Sequence, residues 1–384
     1  MRIHSPETRE LEETREIAAW VDGFRLWYRA PKSQALASPG DAFVVAALLP
    51  AMATGEKLEV EPALAVSPRL LRNLILFQDV YHRWNPALRI VPVEASARPA
   101  VRLHEGTLLF FSGGVDSMFT FLKRWDEIEQ VAYIKSFDFP VADADFRTAQ
   151  ARNSSFVRDR GRSIVPIETN ANDFGYHHNL SVHLFFGSLL ASVAHLLGYR
   201  RALISAPTSY GKLAPLGSHP LTDPLWSSEA VEIVHEGAEA RRIDKIVRLA
   251  QDPEALAHLQ VCARGIARNC GECHKCVRTM TPLAVLGVST PAFPPLPALS
   301  KIRRMRIKKE SESIFVRENY DLAVEKGHRG LRKALGASLG RFDRGRLFKD
   351  SDRILFDGLG KRIYRKLVRT PPAARRISMV PPKD

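Results

Sequence analysis

The sequence predicts an α/β protein built on a doubly wound, mostly parallel sheet. Three observations carry the prediction. From Thr107 to about Ala206, stretches of strand and helix character alternate, the pattern of a parallel sheet with crossover helices. The first of those strands, Leu108 to Phe111, is apolar at every position, as a strand covered on both faces must be. It runs without a linker into Ser112, Gly113, Gly114, Val115, Asp116 and Ser117, and then into the helix-compatible stretch Met118 to Leu122.

Taken in order, residues 1–104 read as an accessory α/β or β-rich domain. Glu10 to Ala19 has a short helical pattern, and Gly23 to Arg29 alternates like a strand. Asp41 to Met52 is an apolar run, and Lys57 to Glu61 alternates again. Ser67 to Trp84 predicts a helix with Leu70, Leu71, Leu74, Ile75 and Phe77 as its apolar residues, and Leu88 to Val93 predicts another strand.

Residues 105–300 form the central domain. After the glycine turn come a helix to about Glu127, a strand from Gln130 to Asp138 and a polar helix from Ala142 to Gly161. A strand from Ser163 to Glu168, a long apolar helix from Leu180 to Gly198 and a strand from Arg201 to Ser205 complete the sheet. Ligands in such sheets bind beyond the carboxyl ends of the strands. Residues 301–384 read as a basic extension. Gly327, Gly330, Gly336, Gly340 and Gly345 predict at best a loose helix, and Pro371 to Asp384 is expected to be disordered.

With 45% apolar and 26% charged residues, the 384-residue chain is ordinary for a globular protein. Met1 to Glu7 lacks the apolar core of a secretory signal. Ser181 to Tyr199 contains His183 and His195 and falls short of a clean membrane span, so a cytoplasmic protein with no transmembrane segment is expected. The net charge of +14 is unevenly placed: residues 301–384 hold 24 Lys and Arg against 10 Asp and Glu, which leaves residues 1–300 neutral. Lys301 to Lys309 has six basic residues in nine, and Lys361 to Arg369 has five in nine. Such clusters suit a nucleic-acid or protein partner; a solvated face or an acidic membrane surface is the alternative.

The turn at 112–117 carries chemistry. Strand, glycine turn and helix start aim unpaired N–H groups at an anion, and the glycines let a phosphate approach without meeting a Cβ. Ser112 and Ser117 add hydroxyls, and Asp116 suits Mg²⁺ bridging phosphate oxygens. An ordinary Gly-Gly turn with a serine cap is the plainer reading. The Walker pattern occurs nowhere, which argues against γ-phosphate chemistry. A second informative loop, Ala206 to Asp223, is rich in Pro, Gly and hydroxyls. In it Lys212 could neutralise a phosphate or carboxylate, and Tyr210, Ser218, His219 and Asp223 could read hydrogen-bonding edges, unless they are simply solvated loop residues.

All four cysteines, Cys262, Cys270, Cys273 and Cys276, fall within fifteen residues in the spacing C-x7-C-x2-C-x2-C. A closed tetrahedral Zn²⁺ site fits best; disulfides and an iron–sulfur cluster are the alternatives.

Ser112 to Ser117 resembles the PP-loop of the ATP pyrophosphatase superfamily. Together with the cysteine spacing it resembles 7-cyano-7-deazaguanine synthase across about residues 106–285. The resemblance implies an adenine nucleotide alpha hydrolase-like sheet, ATP and Mg²⁺ as ligands, and adenine held after the second strand, at Ser136, Phe137 and Asp138. It implies an enzyme that adenylates a carboxylate or amide oxygen, releases pyrophosphate and lets a nitrogen nucleophile displace AMP. Asp116, Ser117 and Lys212 are then the catalytic candidates. Two departures imply an altered acceptor: the family's Pro-x-Arg-Asn element is replaced by Tyr176 to Asn179, and its Tyr-Pro-Asp-Cys-Arg loop by Gly217 to Asp223. The alternative is a PP-loop enzyme that modifies tRNA through the basic extension. A homodimer stays open in either case.

Overall fold

The computed structural model describes residues 1–37, 39–135, 142–265, 267–356 and 376–379. They group into two compact units, residues 1–241 with 376–384, and residues 242–375. The boundaries expected from sequence lay after residues 104 and 300.

The first unit is α/β. Its elements are β1 (Arg2–Glu10), β2 (Thr14–Val21), β3 (Phe24–Pro31), α1 (Pro39–Thr54), β4 (Leu58–Val60), α2 (Pro68–Trp84) and β5 (Val93–Glu94). Then follow β6 (His104–Phe110), α3 (Val115–Lys123), β7 (Ile128–Ile134), α4 (Asp143–Asp159) and β8 (Ser163–Thr169). The unit closes with α5 (Ala171–His177), α6 (Val182–Leu197), β9 (Tyr199–Ser205) and β10 (Glu232–Glu236). All ten strands share one sheet in the order β10-β9-β6-β7-β8-β3-β2-β1-β4-β5. The run from β10 to β8 is parallel, β8-β3-β2-β1 is antiparallel, and β1-β4-β5 is parallel again. The strands expected in a separate lead-in therefore extend the same sheet as the central ones.

Within the parallel run the chain steps one way from β6 to β7 and β8, then returns to the other side of β6 for β9 and β10. The reversal falls beside β6, and the carboxyl ends of strands at such a reversal are where open α/β sheets hold ligands. One face of this run, with Leu108, Phe110, Ala132, Ile134, Ala202 and Ile204, joins the core built around α1 and α6. Both helices are buried on nearly every side, which explains why their sequences are apolar throughout rather than on one stripe. On α3 and α4, Phe121 and Phe156 stack around Phe111, with ring centroids 5.4–6.0 Å apart.

Three sequence readings are corrected. Glu10 to Ala19 is not a helix but the turn and strands of the β1–β2 hairpin. Its charges are paired across strands: buried Glu16 accepts from Arg25 at 2.6 Å and Arg29 at 2.7 Å. Leu88 to Val93 is mostly irregular, with only Val93 entering a strand. Its backbone is used elsewhere, Arg89 donating to the Met52 carbonyl and Val91 to the Gln78 side chain. Finally, 376–379 return to the first unit: Ile377 bridges Leu180, Met379 is buried, and Arg376 stacks on Tyr176 at 3.9 Å.

The second unit is helical: α7 (Arg242–Leu249), α8 (Pro253–Ala257), the cysteine knuckle, α9 (His274–Val285), α10 (Leu299–Arg304), α11 (Glu310–Glu325) and α12 (Arg329–Phe356). It has its own core, with Val277, Ile302, Val316, Leu331 and Leu335 among its members. The glycine-bearing stretch expected to be loose is the main part of α12. Two of its glycines mark close approaches, since a Cβ on Gly330 would lie 2.9 Å from Leu299 and one on Gly336 would lie 3.1 Å from Tyr320. Among the described residues no helix is long and apolar enough to cross a membrane.

The end of α3 is tied to β10 by charge. Buried Glu236 takes Lys123 at 2.6 Å and Arg124 at 2.8 Å. Burial disfavours the carboxylate, but the two cations outweigh it and hold its pKa below the ordinary value of 4.5. A carboxyl lowered on folding contributes stability above its unfolded pKa and loses it as pH falls through the folded one. Glu236→Gln should therefore cost about 2 kcal/mol near pH 7 and progressively less below about pH 4. Urea titrations of both proteins across that range check the prediction.

Candidate functional site

The loop that follows β6 has the geometry the sequence implied. Pairing continues one residue past the strand, with Phe111 N–H donating to Ala132, and the chain then turns through Ser112 to Gly114 into α3. Gly113 has φ of +75°, a left-handed conformation that side chains other than glycine's resist. Gly114 caps the helix with extended backbone. Ser112 is exposed and Gly114 half-exposed, while Gly113, Val115 and Ser117 are buried. The Ser112 and Ser117 hydroxyls lie 3.2 Å apart, Ser117 Oγ accepts from Ser112 N–H at 3.2 Å, and Ser112 Oγ accepts from Gly114 N–H at 3.3 Å. The N–H groups of Gly113 and Val115 have no acceptor among the described residues. Asp116 is half-buried in the first turn of α3, where a carboxylate also suits the helix dipole.

One side chain at this turn had no signal in the sequence. Asn153 of α4 is 1% exposed, and neither its amide oxygen nor its nitrogen has a hydrogen-bond partner among the described residues. Its oxygen lies 2.7 Å from where a Cβ on Gly113 would stand. An orphaned buried amide costs about 1–3 kcal/mol, and here it sits directly behind the turn. Only its place on the inward face of α4, one turn before Phe156, sets it apart from other asparagines.

Ser136, Phe137 and Asp138 lie outside the described residues. Just before them Lys135 is clamped between Asp143 at 2.7 Å and Glu168 at 2.9 Å. Lys212 is exposed on a 3-10 turn, Tyr210–Lys212, in the loop after β9; Tyr210 N–H is anchored on the Ala238 carbonyl.

Farther along that loop, polar groups expected to face a substrate are buried and paired internally. Asp223 is fully buried and accepts from Ser218 Oγ at 2.6 Å, and its carboxylate lies 2.7 Å from His235 Nδ1. His235 Nε2 is buried without a partner among the described residues. The loop lies so close to α6 that a Cβ on Gly187 would stand 1.9 Å from the Gly217 carbonyl oxygen. Burial, reinforced by the Asp223 charge, pushes the neighbouring Tyr81 phenol well up.

The second unit brings the four cysteines together. Their sulfurs all lie within 4.8 Å of one another, and those of Cys262 and Cys273 are 3.9 Å apart. Four thiolates around one ion at about 2.3 Å would sit about 3.8 Å apart, so the set can hold a single metal ion such as Zn²⁺. None is joined in a disulfide, and a multi-iron core would spread its ligands farther. Backbone N–H groups point at the sulfurs: Glu272 and Cys273 donate to Cys270, Cys276 and Ala263 to Cys273, and Arg264 to Cys262, at 3.3–3.4 Å. Burial works against ionising Cys270, but these donors outweigh it and bring its pKa to about 6. Burial and the neighbouring cysteine sulfurs push Cys276 the other way. A divalent cation removes that conflict by charge.

Asn269, which the spacing does not reveal, holds the knuckle in shape. Its side-chain oxygen accepts from Val261 N–H at 2.9 Å and Cys262 N–H at 3.2 Å, and its amide donates to Leu259 and Ala292 carbonyls at 2.8 and 2.9 Å. The purified protein should carry about one metal ion per chain, with thiols that react with a disulfide reagent only after a chelator is added. Asn269→Ala should release the metal at roughly tenfold lower chelator concentration. Mass spectrometry under native conditions and a thiol titration check both.

Compared with known proteins, the chain matches no family model, no curated protein and no solved structure.

Proposed function

We propose that the chain is an ATP-dependent, AMP-forming ligase of the PP-loop ATP pyrophosphatase kind, built on a doubly wound sheet of adenine nucleotide alpha hydrolase type. It resembles 7-cyano-7-deazaguanine synthase with a changed acceptor. The observation that carries this reading is the turn after β6. It stands at the reversal of strand order, between parallel neighbours, with a left-handed glycine and, at the helix start, N–H groups that have no acceptor among the described residues.

In this reading an acceptor carboxylate or amide oxygen attacks the α-phosphorus of ATP. The bond to the bridging oxygen breaks, and pyrophosphate leaves with that bond's electrons. A nitrogen nucleophile then adds to the activated carbon, and AMP departs. The N–H groups of Gly113 and Val115 stabilise charge as it develops on the leaving pyrophosphate. The Ser112 and Ser117 hydroxyls, which bond one another at 3.2 Å, turn to phosphate oxygens. Mg²⁺ at Asp116 would neutralise further charge on the leaving group. Lys212, exposed on the same edge, is available to phosphate or to an acceptor carboxylate without first breaking a buried contact. Positioning and charge stabilisation suffice for such a transfer, and no covalent nucleophile is required.

Incubation with ATP, Mg²⁺ and a panel of carboxylic acids should yield AMP and pyrophosphate. Asp116→Asn should lower the rate at least 100-fold and Ser117→Ala about tenfold. Gly113→Ala should lose nucleotide binding and about 1–2 kcal/mol of stability, because it strains the backbone and crowds Asn153. Formation of ADP and phosphate instead would sink the assignment.

A further inference from the structure

The second unit holds 29 Lys and Arg against 13 Asp and Glu, so it carries the chain's entire excess of positive charge. Part of that charge is arranged on a rigid support. The segment from Leu299 to Met305 lies along α12: Leu299 meets Gly330, Met305 accepts from Ser338 Oγ at 2.8 Å, and Arg341 donates to the Arg303 and Met305 carbonyls. Past Leu299, which stays partly exposed, its apolar residues face this packing. Ile302 is buried, and Met305 and Ile307 pack on the same core.

What the strap turns outward is charge. Arg303, Arg304, Arg306, Lys308 and Lys309 are all exposed, and none forms an ion pair among the described residues. The nearby carboxylates are already engaged: Glu272 with Lys301, Glu310 with Arg346, and Asp343 with Arg317. Five cations without an ion pair within seven residues repel one another, with the Glu312 carboxylate, which accepts from Lys308 N–H at 2.8 Å, beside them.

We propose that this strap holds the phosphodiester backbone of a nucleic-acid strand. Phosphates fit it because the exposed side chains from Arg303 to Lys309 are all cations, while Met305 and Ile307 between them are half-buried against the core. The proposal is independent of the nucleotide chemistry assigned to the first unit.

The test is a set of fluorescence titrations of the full chain with a structured RNA, a DNA duplex of equal charge and vesicles of phosphatidylserine and phosphatidylcholine. Five phosphate contacts give an affinity that falls roughly 100- to 500-fold between 50 and 200 mM salt. The triple variant Arg303→Ala, Arg304→Ala, Arg306→Ala should reduce the slope of log affinity against log salt by between about 2 and 3. Lys308→Gln with Lys309→Gln, which leaves every carbonyl contact of the strap in place, should reduce it by about 1.5. The RNA and DNA arms show which nucleic acid is held more tightly, and either preference supports the site. Binding that both variants leave unchanged overturns it. So does binding confined to vesicles, which would direct attention to the exposed Leu347 and Phe348 farther along α12.

Discussion

Gly113 joins two structures that must meet within four residues. Parallel pairing runs to Phe111, and α3 begins at Val115, so the chain between them has to change direction immediately. A left-handed residue achieves this, and glycine does so without the steric cost that other residues meet. The same sharpness leaves N–H groups uncovered, because no preceding turn of helix exists to accept them. Asn153 behind the turn leaves no room for a Cβ. The sharp turn and the unaccepted N–H groups thus have one cause, the left-handed glycine.

The second unit solves a different problem, which is how a strongly basic chain packs at all. Its core is modest and its cations outnumber its acids by more than two to one. The cysteine knuckle contributes a fixed point: Cys273 caps α9 through Cys276 N–H, so the metal-binding set and the helix start are the same residues. Asn269 satisfies the knuckle's inner backbone with all of its amide atoms. A bound divalent ion would add folding free energy where the helical core alone is thin.

How much of this was legible depends on the range of the interactions involved. The β6 turn, α3 and the cysteine spacing are local patterns, and the sequence displays them directly. The β1–β2 hairpin was misread because Glu10, Glu12, Glu13, Arg15 and Glu16 suit a helix, and only the cross-strand arginines at 25 and 29 make Glu16 a good strand residue. The loose helix expected around Gly336 was misjudged because propensity counts the missing side chain as a loss. Packing counts it as room for Tyr320. Asn153, Asn269 and His235 carry no spacing signal. Their importance comes from partners, or the want of them, brought close by the fold.

The loop from Ala206 to Asp223 shows how folding restricts what a site can offer. Ser218 and Asp223 look like recognition groups in sequence, but Asp223 is a buried carboxylate whose charge is satisfied by Ser218, His235 and the His219 N–H at 3.1 Å. Giving any of those donors to a ligand would leave that charge short of partners in the interior, at a cost of several kcal/mol. Gly217 is held as firmly, its N–H on His183 and its carbonyl against Gly187. The polar groups that can reach outward without such a cost are at the loop's beginning, where Tyr210 and Lys212 are exposed on a turn pinned through Ala238. At this edge the exposed polar side chains are thus a cation and a phenol on a pinned turn.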